Sequence, residues 1–322
     1  MLEKKVLATA GKMFVAAIST LAFASLRLPL ARAQSQISDW ETAAGGKMEF
    51  DVASVKQNKS GAPPAGDAPH ANLPLGPWDS FAPTGGLLSA TNYPFYQYVI
   101  FAYDLRPDQV ISLIAQLPKW ANSSRYDVEA RAAGNPTKNQ YRLMMQALLA
   151  DRFKLGIHFE SKQLPVLALN LDKPGILGPH LQRHPEGSPC SVAPAADTTT
   201  APTVSDGFPE PCGALVGVQP SAPGRNRVGA RNVPMAMIAS IFSISAFSGA
   251  DRPVIDRTGL AGEYDFVIEW TPEVRAGANF QPDETGPTFL EALKEQLGLK
   301  LDSQTGPVDV IVVDHMEEPS VN

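Results

Sequence analysis

A short pattern near residue 90 recurs about 140 positions further along the chain, and this recurrence constrains the fold more than any other sequence feature. Ala90-Thr91-Asn92-Tyr93-Pro94 precedes an aromatic and aliphatic stretch, and Ala230-Arg231-Asn232-Val233-Pro234 precedes the similar stretch from Met235 to Ser245. Other phrases return in the same order, namely Tyr126-Asp127-Val128 as Tyr264-Asp265-Phe266, Lys154-Leu155 as Lys300-Leu301, and Pro165 to Asp172 as Pro307 to Asp314. Matches in one order at a nearly constant offset predict an internal duplication.

Each copy is expected to be a small α+β module. Proline after the first strand predicts a helix over Phe95 to Leu105, and the alternating stretch Tyr126 to Arg131 indicates a strand. Gln140 to Phe153 has its apolar residues at the spacing of a helix with one buried face. The resulting order, β-α-β-β-α-β, implies two helices packed on small mixed sheets. The two modules are predicted at residues 47–177 and 226–322.

The duplication makes specific residues equivalent. Tyr126 and Tyr264 should occupy the same strand position in the two copies, and Leu148 and Leu293 should occupy the same buried helix position. Both leucines are therefore expected in the core.

The segment 178–225 between the modules is rich in Pro, Ala and Ser and has no sustained period, so it predicts a long loop. It holds both cysteines of the chain, Cys190 and Cys212, for which a disulfide is the expected state in an exported protein. Closing this 22-residue interval would contribute about 3 kcal/mol. Two alternatives are free thiols and a zinc site that adds His180 and His184.

The N-terminus predicts export. Lys4, Lys5 and Lys12 precede the uncharged, mostly apolar run Met13 to Leu26, which is too short to span a bilayer comfortably. Ala31-Arg32-Ala33 has the small-x-small pattern of a signal-peptide cleavage site, so residues 1–33 are expected to be removed after Ala33. An uncleaved anchor is the alternative. The mature chain is expected in the periplasm or outside the cell, with no transmembrane segment.

Charge excludes a broad class of partners. Removal of residues 1–33 takes away five of the 27 basic residues and one of the 33 acidic residues, which leaves the mature chain near net −10. Such a chain has no general electrostatic attraction for nucleic acids or anionic lipids. We therefore expect no nucleic-acid partner.

Two family resemblances follow from the motifs. The module order, with Gly298-Leu299-Lys300-Leu301 before a closing strand, resembles the secretin and TonB short N-terminal domain, which implies contacts within envelope assemblies. A second group of motifs resembles a soil-associated, acidobacterial family of exported proteins with a domain of unknown function. These motifs are Phe50 to Lys56 (FDVASVK), Trp120 with Arg125-Tyr126-Asp127, Leu148 to Leu155 (LLADRFKL), Val254 to Leu260 (VIDRTGL), and Val313-Asp314-His315 with Pro319 and Asn322. This resemblance spans the mature chain and implies export without an established reaction.

Local signatures of common catalytic sites are absent from the sequence. There is no Gly-x-Ser-x-Gly, His-Glu-x-x-His, Ser-x-x-Lys or phosphate-cradling glycine loop, and no cofactor or metal is predicted. Asp256-Arg257-Thr258-Gly259 is better interpreted as a turn than as a protease motif. His315 beside Asp314 could form an acid-base pair, but neighbours on a strand point to opposite faces.

The sequence therefore favours a binding or interaction protein of the bacterial envelope over an enzyme. Tyr96 and Tyr103, on the aromatic-rich first helix, are the candidate contact residues for a protein, peptide or glycan. Sheet edges are a second candidate surface. The alternative is a periplasmic or extracellular hydrolase that uses dispersed carboxylates, with Asp256 and Asp314 as its first candidates.

Overall fold

The computed structural model describes residues 39–45, 48–63, 66–76, 81–188, 204–244, 249–272 and 285–319. The predicted signal peptide (1–33) and Cys190 lie outside these ranges, so cleavage after Ala33 and the Cys190–Cys212 disulfide stay predictions. Cys212 itself is buried and forms a β-bridge with Arg231. No helix in the described part of the chain is long and apolar enough to cross a membrane.

The first half of the chain forms a four-stranded antiparallel sheet with helices on one face. Its elements are α1 (Asp39–Ala43), β1 (Val52–Asn58), β2 (His70–Ala71), β3 (Leu87–Pro94), α2 (Phe95–Ala102), α3 (Pro107–Gln116), α4 (Lys119–Ser123), β4 (Arg125–Arg131) and α5 (Lys138–Phe153). The strand order is β1-β4-β3-β2. Tyr126 and Val128 of β4 are buried in the core, whereas the alternate residue Glu129 is exposed, as the pleat requires.

A β-bulge leads the chain from β3 into α2. The register between β3 and β4 shifts between Ala90 and Tyr93, and Asn92 within the bulge has a φ of 61°. Asn tolerates this left-handed conformation better than most residues. The backbone N–H of Asn92 donates to Asp127 Oδ1 over 2.8 Å. Pro94 then precedes the helix, and its fixed φ and missing N–H suit that position.

Helix α5 has a defined signal at each end. The Thr137 hydroxyl accepts from the Gln140 backbone N–H at 3.2 Å, and the Gln140 side chain accepts from the Thr137 N–H at 2.9 Å. This reciprocal capping box satisfies N–H groups that have no partner within the helix. The helix ends at Lys154, which is left-handed with a φ of 50°.

The second half forms a sheet of the same size and a long antiparallel pair of strands from distant parts of the sequence. Its elements are β5 (Gly156–Leu171), β6 (Leu181–Arg183), β7 (Val204–Ser205), β8 (Phe208–Pro209), β9 (Leu215–Gly217), β10 (Asn226–Pro234), α6 (Met235–Phe242), β11 (Val254–Asp256), β12 (Glu263–Trp270), α7 (Phe289–Leu297) and β13 (Leu299–His315). The four-stranded sheet has the order β6-β12-β10-β9.

The β-bulge and the capping box of the first half have counterparts in the second half. The register between β10 and β12 shifts between Ala230 and Val233, and Asn232 has a φ of 56°. Its backbone N–H donates to Asp265 Oδ1 over 2.9 Å. A Thr288 capping box begins α7, and Gly298 ends it in the left-handed conformation.

Strands β5 and β13 join the two halves. They pair antiparallel from Leu299 opposite Leu171 to His315 opposite Gly156, and β11 adds to β5 in parallel. Side chains of β5 pack into both cores: Ile157 and Phe159 contact the first, whereas Leu167 and Leu169 contact the second. Each long strand therefore contributes to two cores.

The α+β class with small sheets is confirmed, but three details differ from the sequence prediction. The helix predicted over Phe95 to Leu105 ends at Ala102. The order β-α-β-β-α-β runs from β10 to β13, whereas the first half has α3 and α4 where the second has β11. The segment 178–225 holds short strands in its described part, because its backbone pairs with β10 and β12 rather than with water.

Candidate functional site

Strand β1 lies at the outer edge of the first sheet. It pairs with β4 on one side, and in the described part of the chain no strand pairs with its other side. With seven residues it is the longest outer strand of the two four-stranded sheets within the described residues. An exposed strand edge offers unpaired N–H and C=O groups to another chain.

The hydrogen-bond pattern of the sheet identifies which residues of β1 direct their backbone N–H and C=O groups away from β4. The Ala132 N–H donates to Gly86 O, so even-numbered residues of β4 bond to β3 and odd-numbered residues bond to β1. The partners of those odd-numbered residues are Val52, Ser54, Lys56 and Asn58. The backbone groups of Ala53, Val55 and Gln57 therefore face away from the sheet.

A cleft of about 740 Å³ runs beside this edge. Ala53 to Gln57 form one wall, and Arg152, Glu318 and Pro319 form the other. The second wall is fixed by the Glu317 N–H, which donates to Phe153 O over 2.7 Å. The Ser124 hydroxyl also donates to Glu318 over 3.4 Å. The cleft is thus lined by residues of β1 and bounded by the end of α5.

A second cleft of about 480 Å³ continues along the start of β1. It shares Ala53 and Arg152 with the first, and its floor is the α5 surface formed by Met144, Ala147 and Leu148. These three side chains are apolar, but Glu49, Asp51 and Asp151 also line the cleft. The opposite face of the sheet carries Ser54 and Lys56. A strand added to β1 would therefore have apolar side chains of α5 near one face and polar side chains near the other.

Tyr126 lies at the side of the larger cleft and is 1% exposed. Burial, and then the Glu318 carboxylate, raise the pKa of Tyr126 to about 12. The Ser124 hydroxyl is near enough to oppose this rise, yet the Tyr126 hydroxyl makes no hydrogen bond of standard geometry in the described part of the chain. A buried hydroxyl without a hydrogen bond of standard geometry is uncommon in folded proteins.

The two tyrosines predicted as contact residues lie elsewhere. Tyr96 and Tyr103 are both partly buried against the first core. Burial, and then the Glu41 carboxylate, raise the pKa of Tyr103 to about 12. Neither residue lines the clefts beside β1. Their role in binding stays a prediction, and the structure does not bring them to the β1 edge.

The two carboxylates of the hydrolase alternative are far apart. Asp256 is paired with Leu169 of β5, whereas Asp314 lies next to His315, which is paired with Gly156. About twelve residues of extended strand separate these positions, or roughly 40 Å. Carboxylate pairs in glycosidases lie within roughly 10 Å of each other. Asp256 accepts from the Thr258 N–H at 2.8 Å in the expected turn.

Three histidines outside the clefts have carboxylate partners. His184 Nδ1 lies 2.7 Å from Asp265 Oδ1, and both side chains are buried. His158 Nδ1 lies 2.9 Å from Asp314, and His315 Nε2 lies 2.9 Å from Glu317. Within the described residues no group of three or more His, Cys, Asp or Glu side chains is arranged to hold a metal ion. Cys190 of the zinc alternative is outside those residues.

The sequence analysis did not predict the residues of the β1 edge as a site. FDVASVK is one of the motifs on which the resemblance to an exported family rests, and its alternation from Val52 to Lys56 indicates a strand. Whether a strand lies at an edge depends on pairing across the sheet, which a single sequence does not state. Arg152 and Glu318 reach the cleft through long-range packing and carry no local signal.

The comparisons with known proteins give a family and no activity. The family described as "Protein of unknown function (DUF3738)" matches residues 96–316. No curated protein matches the chain, and no solved structure matches it either.

Proposed function

We propose that this chain, which belongs to the DUF3738 family of proteins of unknown function, is an exported binding protein of the bacterial envelope whose β1 edge takes up an extended segment of a protein partner. The observation that carries the proposal is the outer edge of β1, where the outward backbone groups belong to Ala53, Val55 and Gln57, three residues that also line a cleft of about 740 Å³. Strand addition of this kind draws affinity from main-chain hydrogen bonds and specificity from side-chain pockets.

A contrast within the molecule supports this choice of edge. The outer edge of β13 is covered by α3, because Gln109 donates to Asp309 O at 3.3 Å and Gln116 donates to Ile311 O at 2.7 Å. Gln116 also accepts from the Val313 N–H at 3.1 Å. In the described part of the chain, β1 has no such cover on its outer side.

Two related modules are part of the proposal. Support comes from the bulges at Asn92 and Asn232, the acceptors Asp127 and Asp265, and the matching strand orders β1-β4-β3-β2 and β6-β12-β10-β9. In this interpretation the first module binds through its seven-residue edge strand, β1, whereas the corresponding edge strand of the second module, β6, has only three residues. The resemblance to the secretin and TonB short N-terminal domain, and an acidobacterial source, belong to the same proposal.

Location in the periplasm or outside the cell rests on the N-terminal sequence. The basic residues before an apolar run and the Ala31-Arg32-Ala33 pattern support cleavage of residues 1–33. A long unpaired edge would meet envelope proteins there, which fits a role in protein contacts.

The test removes one outward N–H and leaves the ladder to β4 intact. Gln57→Pro deletes that N–H at an edge position that tolerates proline, and Gln57→Ala keeps the N–H while it loses the same side chain. A random display library of ten-residue peptides is selected on the mature protein. We expect the selected peptides to bind Gln57→Ala as they bind the wild type, and to bind Gln57→Pro about tenfold more weakly or worse.

Three outcomes oppose the proposal. Peptides that bind Gln57→Pro as tightly as the wild type, or a selection that returns no binders, would show that the β1 edge is not a peptide site. A wild-type dimer in sedimentation that Gln57→Pro dissociates would assign the edge to a second copy of the chain. Thermal unfolding of both variants checks that they remain folded.

A further inference from the structure

We propose that the segment taken up by β1 is an acidic amphipathic strand, with Asp or Glu side chains on the face of Lys56 and apolar side chains on the face of α5. This inference rests on the proposed function and specifies the chemistry of the partner. It follows from the charge of the larger cleft and from the difference between the two faces.

The charge of the larger cleft differs from that of the chain. Its lining includes the cations Lys56, Lys59 and Arg152 and one carboxylate, Glu318. The chain as a whole has a formal net charge of −6. A basic cleft on an acidic protein attracts an acidic segment and disfavours a basic one.

The two lysines are available for an incoming carboxylate. Both Lys56 and Lys59 are exposed, and neither has an ion-pair partner in the described part of the chain. Arg152 is paired with Asp151 at 3.1 Å, but their side chains are 42% and 67% exposed, so the pair contributes little. Lys56 and Lys59 therefore carry the charge argument, although Asp127 of β4 lies opposite Lys56 and three carboxylates, Glu49, Asp51 and Asp151, line the second cleft.

Geometry assigns the charges to alternate positions of the bound strand. Side chains of neighbouring strands on the same face lie about 5 Å apart, so a carboxylate opposite Lys56 is within ion-pair distance. Residues on the other face of the bound strand point towards Met144, Ala147 and Leu148 of α5. A segment that alternates acidic and apolar residues satisfies both surfaces.

The experiment uses the peptides selected from the ten-residue library and a charge-reversed protein. Lys56→Glu with Lys59→Glu reverses the cleft, and Lys173→Glu with Lys300→Glu makes the same charge change at exposed lysines outside both clefts. We expect Asp and Glu to be enriched at every second position of the selected peptides. The cleft variant should lose about tenfold in affinity at low salt, with a smaller loss at high salt, and the control should lose little.

The outcomes separate this inference from the function on which it rests. Neutral or basic peptides that lose binding in Gln57→Pro, and that ignore the charge reversal, would overturn the acidic partner and keep the β1 edge as a binding site. Equal losses in the cleft variant and the lysine control would also overturn the inference, because they would show a general charge effect. Binding that ignores Gln57→Pro overturns both.

Discussion

Asn92 and Asn232 show how much one residue type can predict. Both stand in the phrase Ala-x-Asn-x-Pro, and both adopt a left-handed backbone, with φ of 61° and 56°. The phrase predicted a strand followed by a helix in each copy. It did not predict that Asp127 and Asp265 would hold the two backbone N–H groups, because those carboxylates lie on a different strand, more than 30 positions away.

The two core leucines are confirmed as buried. Leu148 is 7% exposed and Leu293 is 0% exposed, whereas Leu290 on the same helix as Leu293 is 59% exposed. We expect Leu148→Ala and Leu293→Ala each to lower the free energy of unfolding by about 2 to 5 kcal/mol, because each leaves a cavity. Leu290→Ala should cost less than about 1 kcal/mol. Urea unfolding measures all three, and equal costs for Leu290 and Leu293 would contradict the packing.

Tyr126 gives a prediction about alkaline pH. Burial raises its pKa to about 12, above the value near 10 of an exposed tyrosine, so its neutral form is favoured in the folded state. The stabilisation from Tyr126 is therefore complete below about pH 10 and is lost as the pH rises through 12. Tyr126→Phe should leave stability at pH 7 nearly unchanged, because its hydroxyl lacks a hydrogen bond. It should reduce the loss of stability at alkaline pH.

Tyr98→Phe serves as the comparison for that variant. The Tyr98 hydroxyl donates to Tyr126 O over 2.7 Å, so its removal should cost about 0.5 to 1.5 kcal/mol at pH 7. Chemical unfolding between pH 7 and pH 11 measures both variants. A Tyr126→Phe protein that loses stability with pH as steeply as the wild type would contradict the environment described for this residue.

Element boundaries were predictable where local chemistry sets them. Helix α5 is an example, because its apolar spacing and its Thr137 capping box are both local sequence signals. The structure extends the predicted helix only from Gln140 back to Lys138. Helix α3 was missed although Pro107 at its start and the spacing of Val110 and Leu113 are helix signals. Helix α4 has only five residues, too few to show a period. The edge position of β1 was missed because it depends on which strands pair.

The ends of α5 and α7 supply a prediction at this scale. Lys154 and Gly298 are both left-handed, but only glycine adopts that conformation without strain. Lys154→Gly should therefore raise the free energy of unfolding by about 1 kcal/mol. Gly298→Ala should lower it by more than about 1 kcal/mol, since a Cβ there would also lie 2.6 Å from the Gly178 backbone N. Thermal unfolding compares them, and a destabilising Lys154→Gly would contradict this account of the helix end.

At the scale of the whole molecule, the sequence predicted the α+β class but not how its two halves are joined. The closing strands were predicted at Leu164 to Leu171 and Pro307 to Asp314, whereas β5 and β13 extend over Gly156–Leu171 and Leu299–His315. Their extra length lets each strand reach both cores, a consequence of their mutual pairing. Pairing between distant segments leaves no periodic signal in either one, so it could not be inferred.

Strand addition at β1 requires that its outer edge is open in the folded protein. Amide hydrogen exchange of the mature chain, resolved by residue, measures whether it is. We predict fast exchange at Ala53, Val55 and Gln57, and slow exchange at Ser54 and Lys56, whose N–H groups bond to β4. Addition of a selected acidic peptide should slow the first three. Slow exchange at all five positions in the free protein would show that the edge is already covered and would contradict the account.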